Sequence, residues 1–385
     1  MTTTTYRAID TEAVHAGEPE PRIGGAVAMP IFQTSTYVYE GETDYHAIRY
    51  VRLNNTPNHL VLHDKLAILE RAEDALVTSS GMAAISTALL GLLRAGDHLL
   101  LLDCPYGGTR GFVVDDLPRF DIAFTFVDPE DPTSWSAALR DNTRAIYMES
   151  ITNPLMQVPD LRGVVEFARQ HGLVSMVDNT LASPVNFRPA EIGFDLSLHS
   201  CTKYLNGHSD VAAGAIVGRA SLISAIRPLL NHLGGTLDPH ACGMLHRGIK
   251  TLALRVRRQN ETALRIARSL NEQPAISVVN YPGLESSLGH ARAVELFEGF
   301  GGMMSFDFTG GLPAAVRFLQ RVTIPLEAVS LGGVESLVIR PAVTSYANVA
   351  PDDRRRLGVT DSLVRLSVGI EDAEELLEDL LAALV

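Results

Sequence analysis

HSCTKYLNGHSDVAAG, residues 199–214, is the stretch around which the rest of the chain is interpreted. A predicted strand over residues 194–199 leads into Ser200, Thr202 and Lys203. A charged lysine at the end of a buried strand is costly unless it has a partner or a chemical task. Two interpretations stay open on these residues alone. The amine could bond to an aldehyde cofactor whose phosphate the hydroxyls hold, or it could be solvated in an exposed loop.

Composition restricts the class of protein. The chain has 385 residues, 46% hydrophobic and 20% charged, which is typical of a soluble globular protein with two domains or one large domain. A net charge of −13 argues against nucleic acid or an anionic membrane as partner.

Targeting signals and cysteine usage predict a cytoplasmic protein. The N-terminus lacks the basic and apolar regions of a signal peptide, and the longest apolar stretch, near residues 83–93, is too short to span a bilayer. Cys104, Cys201 and Cys242 show no metal-ligand spacing, and their odd number suits a reducing compartment, so we expect no metal site. Cys201, two residues before Lys203, is expected to be a small buried side chain.

Apolar strands alternate with helical patterns through the first two thirds of the chain. We predict strands at 75–78, 98–102, 122–127, 145–148, 173–177 and 194–199. Such alternation indicates a mainly parallel sheet covered on both faces. Ligands of these sheets bind beyond the carboxyl ends of the strands. Because Tyr106, Asp178 and Lys203 all follow predicted strands, we expect them to converge on one site.

Other polar residues leave two interpretations each. Asp178 either pairs with a cation or caps a following helix. Tyr50 and Arg52 either bind an anion or lie in a solvated turn. The turn before Gly81 either points amides at a phosphate or only needs glycine. Arg365, within an apolar strand, requires a structural or a substrate carboxylate.

The chain divides into three predicted parts. Residues 1–60, rich in Thr, Gly and Pro, form an extended N-terminal arm; residues 61–246 form the large domain; residues 247–385 form a smaller C-terminal domain. The small domain is predicted to begin with a long basic helix over 247–270 and then to mix strands with helices.

Seven motifs occur in a fixed order along almost the whole chain. They are SSGMAA (79–84), YGGT (106–109), TNP (152–154), VDNT (177–180), HSCTKYLNGHSD (199–210), SLGGVES (330–336) and VRLSVGIED (364–372). In this combination the chain resembles the Cys/Met-metabolism family of pyridoxal-phosphate enzymes. That family includes cystathionine γ-synthase, cystathionine β- and γ-lyases, methionine γ-lyase and O-acetylhomoserine sulfhydrylase. The resemblance implies the aspartate-aminotransferase-like α/β fold (fold type I), with a mainly parallel seven-stranded sheet, and a homotetramer of two tight dimers.

The resemblance also implies roles for individual residues. Lys203 would carry the cofactor and move protons, and Tyr106 would stack on the cofactor ring. The remaining cofactor contacts implied by the family are Gly81, Met82, Ser200 and Thr202 at the phosphate, Tyr50 and Arg52 reaching that phosphate from a neighbouring subunit, and Asn153, Asp178 and Thr180 at the ring. Arg365 would bind the substrate α-carboxylate, with Ser330, Val329 and Arg49 also near the substrate.

The activity that the resemblance implies is elimination at a C–S bond of a sulfur amino acid, at the β or the γ position. The alternative is a transferase that replaces the γ-substituent of an activated homoserine, and a non-catalytic relative is a third hypothesis. Family members that handle cystathionine often carry an acid, an arginine and a glutamate where this chain has Arg49, Gly111 and Val329. We therefore expect weaker use of cystathionine than of substrates with an apolar or anionic distal group, unless Arg110 replaces the missing arginine.

Overall fold

The computed structural model describes residues 6–347 and 349–385 and contains two β-sheets. The strands of the seven-stranded sheet are β1 (Asp74–Thr78), β2 (His98–Leu102), β3 (Ala123–Val127), β4 (Thr143–Glu149), β5 (Val174–Asp178), β6 (Leu196–His199) and β7 (Gly214–Gly218). The five-stranded sheet consists of β8 (Ile276–Asn280), β9 (Met303–Phe308), β10 (Leu326–Glu327), β11 (Leu337–Ile339) and β12 (Val364–Ser367).

The larger sheet has the strand order β1-β7-β6-β5-β4-β2-β3. Strands β2 to β6 pair in parallel, and β7 runs antiparallel to both β1 and β6. Each residue of β2 is buried, which explains its continuous apolar sequence, because helices cover both faces of such a sheet. The predicted α/β architecture with a mainly parallel sheet is confirmed.

Helices occupy most of the remaining chain. They are α1 (Ile9–His15), α2 (Pro57–Glu70), α3 (Gly81–Leu92), α4 (Gly107–Gly111), α5 (Pro132–Ala138), α6 (Leu161–His171), α7 (Ser183–Asn186), α8 (Pro189–Ile192), α9 (Ala220–Leu233), α10 (Pro239–Ile249), α11 (Leu252–Asn271), α12 (His290–Leu296), α13 (Gly311–Arg321), α14 (Pro351–Arg356) and α15 (Ala373–Ala382). None of the helices in the described ranges is long and apolar enough to cross a membrane.

Helix α11 connects two hydrophobic cores. Leu252 and Val256, in its first half, are buried in the core around the seven-stranded sheet. Ile266 and Leu270, in its second half, are buried in the core of the five-stranded sheet. One helix therefore shares its apolar face between both sheets.

The prediction of one helix over 247–270 is wrong. Helix α10 ends at Ile249 and α11 begins at Leu252, because tertiary contacts break the helix between them. A Cβ at Gly248 would lie 2.3 Å from the carbonyl oxygen of Asn206, so only glycine allows this approach to the loop after Lys203. The guanidinium of Arg255 then donates to the Gly248 carbonyl at 2.8 Å.

The N-terminal part is not extended throughout. Helix α1 packs against α2 and α11 and places Ile9 and Ala13 in the core. Helix α2 begins at Pro57, a favourable residue for the first turn. Between these helices the chain forms three short 3₁₀ turns and one isolated antiparallel β-bridge, between Thr36 and Tyr50. The division into three parts drawn from the sequence stays a prediction.

Candidate active site

A cavity of about 530 Å³ lies beyond the carboxyl ends of the central strands of the large sheet. Two groups of residues line it. From the seven-stranded sheet and its loops come Ser80, Gly81, Met82, Ile85, Tyr106, Gly107, Gly108, Glu149, Ile151, Asn153, Asp178, Thr180, Leu181, Ser200, Thr202 and Lys203. From the C-terminal part come Val329, Ser330, Leu331, Thr344, Ser345 and Arg365. The structure thus brings together twelve of the fifteen site residues predicted from the sequence.

Lys203 lies in the turn after β6, with its amine in the cavity. The Nζ donates to Ser330 Oγ at 2.6 Å. Burial, with a smaller contribution from the positive charge of Arg365, lowers the pKa of Lys203 to about 8. Lys203 is therefore not a solvated loop lysine, and its neutral amine is accessible near neutral pH.

Arg365 is buried in β12 and lies beside Ser330. Its Nη2 donates to the Ser330 carbonyl at 2.9 Å, and its Nη1 donates to Asn153 Oδ1 at 3.3 Å. Among the residues that the structure describes, no carboxylate forms an ion pair with this guanidinium. A buried cation with only neutral protein partners is suited to an incoming carboxylate.

Ser330 connects these two cations. Its φ of 86° lies in the left-handed region, which is uncommon for a residue other than glycine. In this conformation its hydroxyl accepts from Lys203 while its carbonyl accepts from Arg365. Strained backbone held by two functional contacts is typical of active sites.

Asp178 is the last residue of β5. Its Oδ1 accepts from the Thr180 amide at 2.9 Å, and its Oδ2 accepts from the Tyr147 hydroxyl at 3.4 Å. Burial raises the pKa of Asp178, and the hydrogen bonds from Thr180 oppose that shift. Helix α7 has Ala182 at its N-cap, so Asp178 does not cap the following helix. The Thr180 hydroxyl accepts from the Ser200 amide at 2.8 Å and thereby joins the ends of β5 and β6.

The start of α3 faces Ser200. The Ser80 hydroxyl caps α3 by accepting from the Ala83 amide at 3.0 Å. A Cβ at Gly81 would lie 2.8 Å from Ser200 Cβ, so glycine is required for this packing. The amides of Gly81 and Met82, in the first turn, have no partner within their own helix and are oriented to bind an anion. The Thr202 hydroxyl also lines the cavity, although it is hydrogen-bonded to Ala213.

Tyr106 follows β2 and is held by a residue that the sequence analysis missed. Its backbone amide donates to Glu149 Oε1 at 2.6 Å. Glu149 is the last residue of β4 and is 3% exposed. The signal was available, since a carboxylate ending an apolar strand is the feature that drew attention to Asp178.

Three predicted residues lie outside this cavity of their own chain. Tyr50 is exposed, and Arg52 donates to the Asn231 carbonyl at 2.8 Å. The guanidinium of Arg49 lies 5.7 Å from the centre of the Tyr37 ring. Arg110 does not line the cavity either, because its guanidinium lies 4.5 Å from the centre of the Phe126 ring.

The three cysteines lie within the described ranges, 6–347 and 349–385. All three cysteines are buried and free, and burial raises the pKa of the Cys201 thiol. No cluster of His, Cys, Asp and Glu with the arrangement of a metal site occurs there.

The residues present fit pyridoxal phosphate. The phosphate would be held at the start of α3 by Gly81, Met82, Ser200 and Thr202. Gly81 has no side chain beside Ser200, so the backbone amides of this turn stay accessible. The half-buried carboxylate of Asp178 would meet the ring nitrogen. The Lys203 amine, with its pKa of about 8, would bond to the aldehyde.

Comparisons with known proteins agree with this geometry. The family model for "Cys/Met metabolism PLP-dependent enzyme" matches residues 10–385. The cystathionine gamma-lyase of Bacillus subtilis is 41% identical over 97% of this chain and 98% of that protein. The L-methionine gamma-lyase of Pseudomonas putida is 39% identical over 97% of this chain and 96% of that protein.

A solved structure shows the same fold. The cystathionine gamma synthase of Xanthomonas oryzae pv. oryzae, in complex with aminoacrylate and cysteine, superposes with a TM-score of 0.94 and 38% identity, covering 99% of this chain and 98% of that one. The chain therefore belongs to the Cys/Met-metabolism family of pyridoxal-phosphate-dependent enzymes and has the aspartate-aminotransferase-like α/β fold of that family.

Proposed function

We propose that this enzyme is a pyridoxal-phosphate-dependent lyase that cleaves the C–S bond of a sulfur amino acid by α,γ- or α,β-elimination. The observation that carries this proposal is that Lys203 and Arg365 both contact Ser330 in one cavity. This arrangement places an amine that can take a proton beside a group that can bind the substrate carboxylate. Relatives named cystathionine gamma-lyase and methionine gamma-lyase, at 41% and 39% identity, support it.

The chain's residues divide the work of proton removal. When bound, pyridoxal phosphate supplies an aldehyde that bonds to an amino group and a ring that accepts the electrons released at Cα. Arg365 binds the α-carboxylate and orients the Cα–H bond toward Lys203. The neutral amine of Lys203 then takes the α-proton as a general base. Removal of a γ-substituent requires a second proton to be taken from Cβ before the sulfur leaves, and Lys203 can take it only after giving up the first.

Other residues hold the electron-accepting ring in place. Asp178 would present a carboxylate to the ring nitrogen and stabilise its protonated form. Tyr106 would lie against the ring and serve as a second acid or base, and Asn153 and Thr180 would support the ring from their loops. Ser330 holds the Lys203 amine within reach of the substrate between proton transfers.

A γ-replacement transferase is the second candidate. The observation that favours it is the TM-score of 0.94 with a structure named cystathionine gamma synthase. Elimination and replacement need the same residues around the cofactor. They differ in whether water or a thiol reacts with the substrate after its substituent has left. In both cases we propose that Val329, which is 66% exposed at the cavity, disfavours cystathionine because it offers its distal ammonium no hydrogen bond.

The test has a chemical and a catalytic part. Borohydride reduction of the yellow holoenzyme should fix the cofactor on the peptide that contains Lys203. Label on Lys65 or Lys250, the other two lysines, would contradict the proposal. Keto-acid release should then be measured from cystathionine, methionine, homocysteine and O-acylhomoserines, with and without a thiol. Product formation that requires the thiol identifies the transferase, and a kcat/KM for cystathionine above the others contradicts the role given to Val329.

We further propose that the active site is completed by a second subunit of a cytoplasmic homotetramer. Tyr50 and Arg52 would reach the phosphate of a neighbouring copy, and Arg49 would lie near its substrate. Exposed apolar side chains along the arm support a subunit contact there: Val27 and Val38 are each 87% exposed, and Tyr39 is 65% exposed. A chain whose three thiols are all buried and free suits the reducing cytoplasm.

A further inference from the structure

Glu149 is a buried carboxyl group of the cavity for which elimination chemistry has no assigned task. It ends β4, lines the cavity and is 3% exposed. Its Oε1 accepts the Tyr106 amide at 2.6 Å. Its Oε2 is buried and has no hydrogen-bond partner among the described residues. A buried ionised oxygen without a donor is strongly unfavourable, whereas a protonated one can itself donate.

The neighbours of Glu149 are acids. Glu149 and Asp178 are register partners at the ends of β4 and β5. Burial, and next the negative charge of Asp178, raise the pKa of Glu149 well above its usual range, opposed only by backbone hydrogen bonds. The other ionisable groups on which its charge acts are Tyr147, Cys104 and Tyr346, all of which are neutral or anionic. Within the described ranges no salt bridge joins Glu149 to a cation, although Lys203 and Arg365 line the same cavity.

Asp178 has better support for a negative charge. It accepts from the Thr180 amide at 2.9 Å and from the Tyr147 hydroxyl at 3.4 Å, and hydrogen bonding from Thr180 lowers its pKa against the effect of burial. When two carboxyl groups share a site, they do not both ionise near neutral pH, and the better-supported one keeps the charge. When this pair of carboxyl groups holds one proton, that proton is therefore on Glu149 and the negative charge is on Asp178.

We propose that Glu149 is a positioning residue that holds a proton on Oε2, fixes Tyr106 through Oε1 and offers Oε2–H as a hydrogen-bond donor to the cavity. The pair at the strand ends then carries one negative charge, on Asp178, rather than two. A carboxylic acid kept neutral by a low-polarity site can act as a donor in this way. This inference rests on the proposed function only in taking the cavity as the cofactor site.

The experiment compares Glu149→Gln with Glu149→Ala in the holoenzyme. Glutamine keeps the acceptor for Tyr106 and replaces the O–H donor by N–H, so cofactor affinity should stay within about twofold of wild type. Alanine removes the acceptor of the Tyr106 amide, and affinity should fall about tenfold. Infrared difference spectra at neutral pH should show that Glu149→Gln removes the C=O band of a protonated carboxyl group.

Glu12→Gln is the matched control. Glu12 is 1% exposed but forms an ion pair with the Arg71 guanidinium at 2.6 Å, so its replacement should leave the protonated-carboxyl band intact. The pH midpoint of the cofactor absorbance should move by less than about half a unit in Glu149→Gln, because a neutral group replaces a neutral group. A larger shift, or an unchanged infrared band in Glu149→Gln, would overturn the proposal. Failure of the wild-type protein to bind the cofactor would instead refute the proposed function, since the infrared band is a property of the protein.

Discussion

Lys203 has a lowered basicity that follows from two features of its surroundings. It is largely buried, which penalises the ammonium form, and the guanidinium of Arg365 lies near enough to add repulsion. The amine of a solvated lysine is almost entirely protonated at neutral pH, because its pKa is about 10.4. With a pKa of about 8, a substantial fraction of the Lys203 amine is neutral at the pH at which it must act.

The first prediction concerns cofactor capture by the cofactor-free enzyme. Only the neutral amine attacks an aldehyde, so the rate should rise with pH and reach half its maximum near the pKa of Lys203, about 8. Stopped-flow absorbance after mixing with pyridoxal phosphate measures this profile. Arg365→Gln should move the midpoint upward, because it removes a positive charge that disfavours the ammonium. A wild-type midpoint near 10 would contradict the environment described for Lys203.

Single residues were predictable where burial and charge conflict in the sequence itself. Lys203, Asp178 and Arg365 each place a charge at the end of, or within, an apolar strand. The contact between Lys203 and Ser330 could not be predicted from local pattern, because 127 positions separate them. Glu149, in contrast, could have been found from the local pattern. It was missed because the predicted strand, residues 145–148, ended one residue before Glu149, which is the last residue of the observed strand.

Among the secondary-structure elements, the buried parallel strands were the most predictable. The strand at His98–Leu102 and the helix at Leu161–His171 occur at the predicted residues, since an apolar run and an amphipathic pattern each specify one local structure. The break between α10 and α11 has no local signal, because Lys250 and Thr251 are compatible with a helix. The close contact of Gly248 with Asn206 lies just before the break, and only the tertiary fold creates that contact.

The second half of α11 should carry much of the stability of the C-terminal core. Leu270→Ala deletes a fully buried side chain and should lower the free energy of unfolding by about 2–5 kcal/mol. Leu254→Ala, on the same helix, removes a side chain that is 68% exposed and should change it by less than about 0.5 kcal/mol. Urea unfolding of the holoenzyme followed by circular dichroism measures both. Equal losses would show that α11 does not connect the two cores as described.

At the scale of the whole molecule, the arm raises the question of where Tyr50 and Arg52 act. Neither lines the cavity of its own chain, and the arm between α1 and α2 exposes several large apolar side chains. Such a surface is suited to burial against another copy. In a two-fold dimer each copy would then contribute the same residues to the other's site, so two sites would each be assembled from two chains.

Complementation between two inactive variants tests this arrangement. Arg52→Ala removes a residue that we assign to the partner's site, and Lys203→Ala removes one from its own site. Each homo-oligomer should be inactive or nearly so, but a mixed dimer contains one site in which both residues are intact. Random mixing of equal amounts makes half of the dimers mixed, so about a quarter of the wild-type sites should recover activity.

A mixture of the Asp178→Ala protein with the Lys203→Ala protein is the control, because both residues line the cavity of the same chain. In a mixed dimer of that pair, one site lacks Asp178 and the other lacks Lys203, so no intact site forms and no activity should return. Recovery for Arg52→Ala with Lys203→Ala, and none for the control pair, identifies a site shared between subunits. No recovery in mixed dimers verified by two different affinity tags would contradict a site shared between subunits.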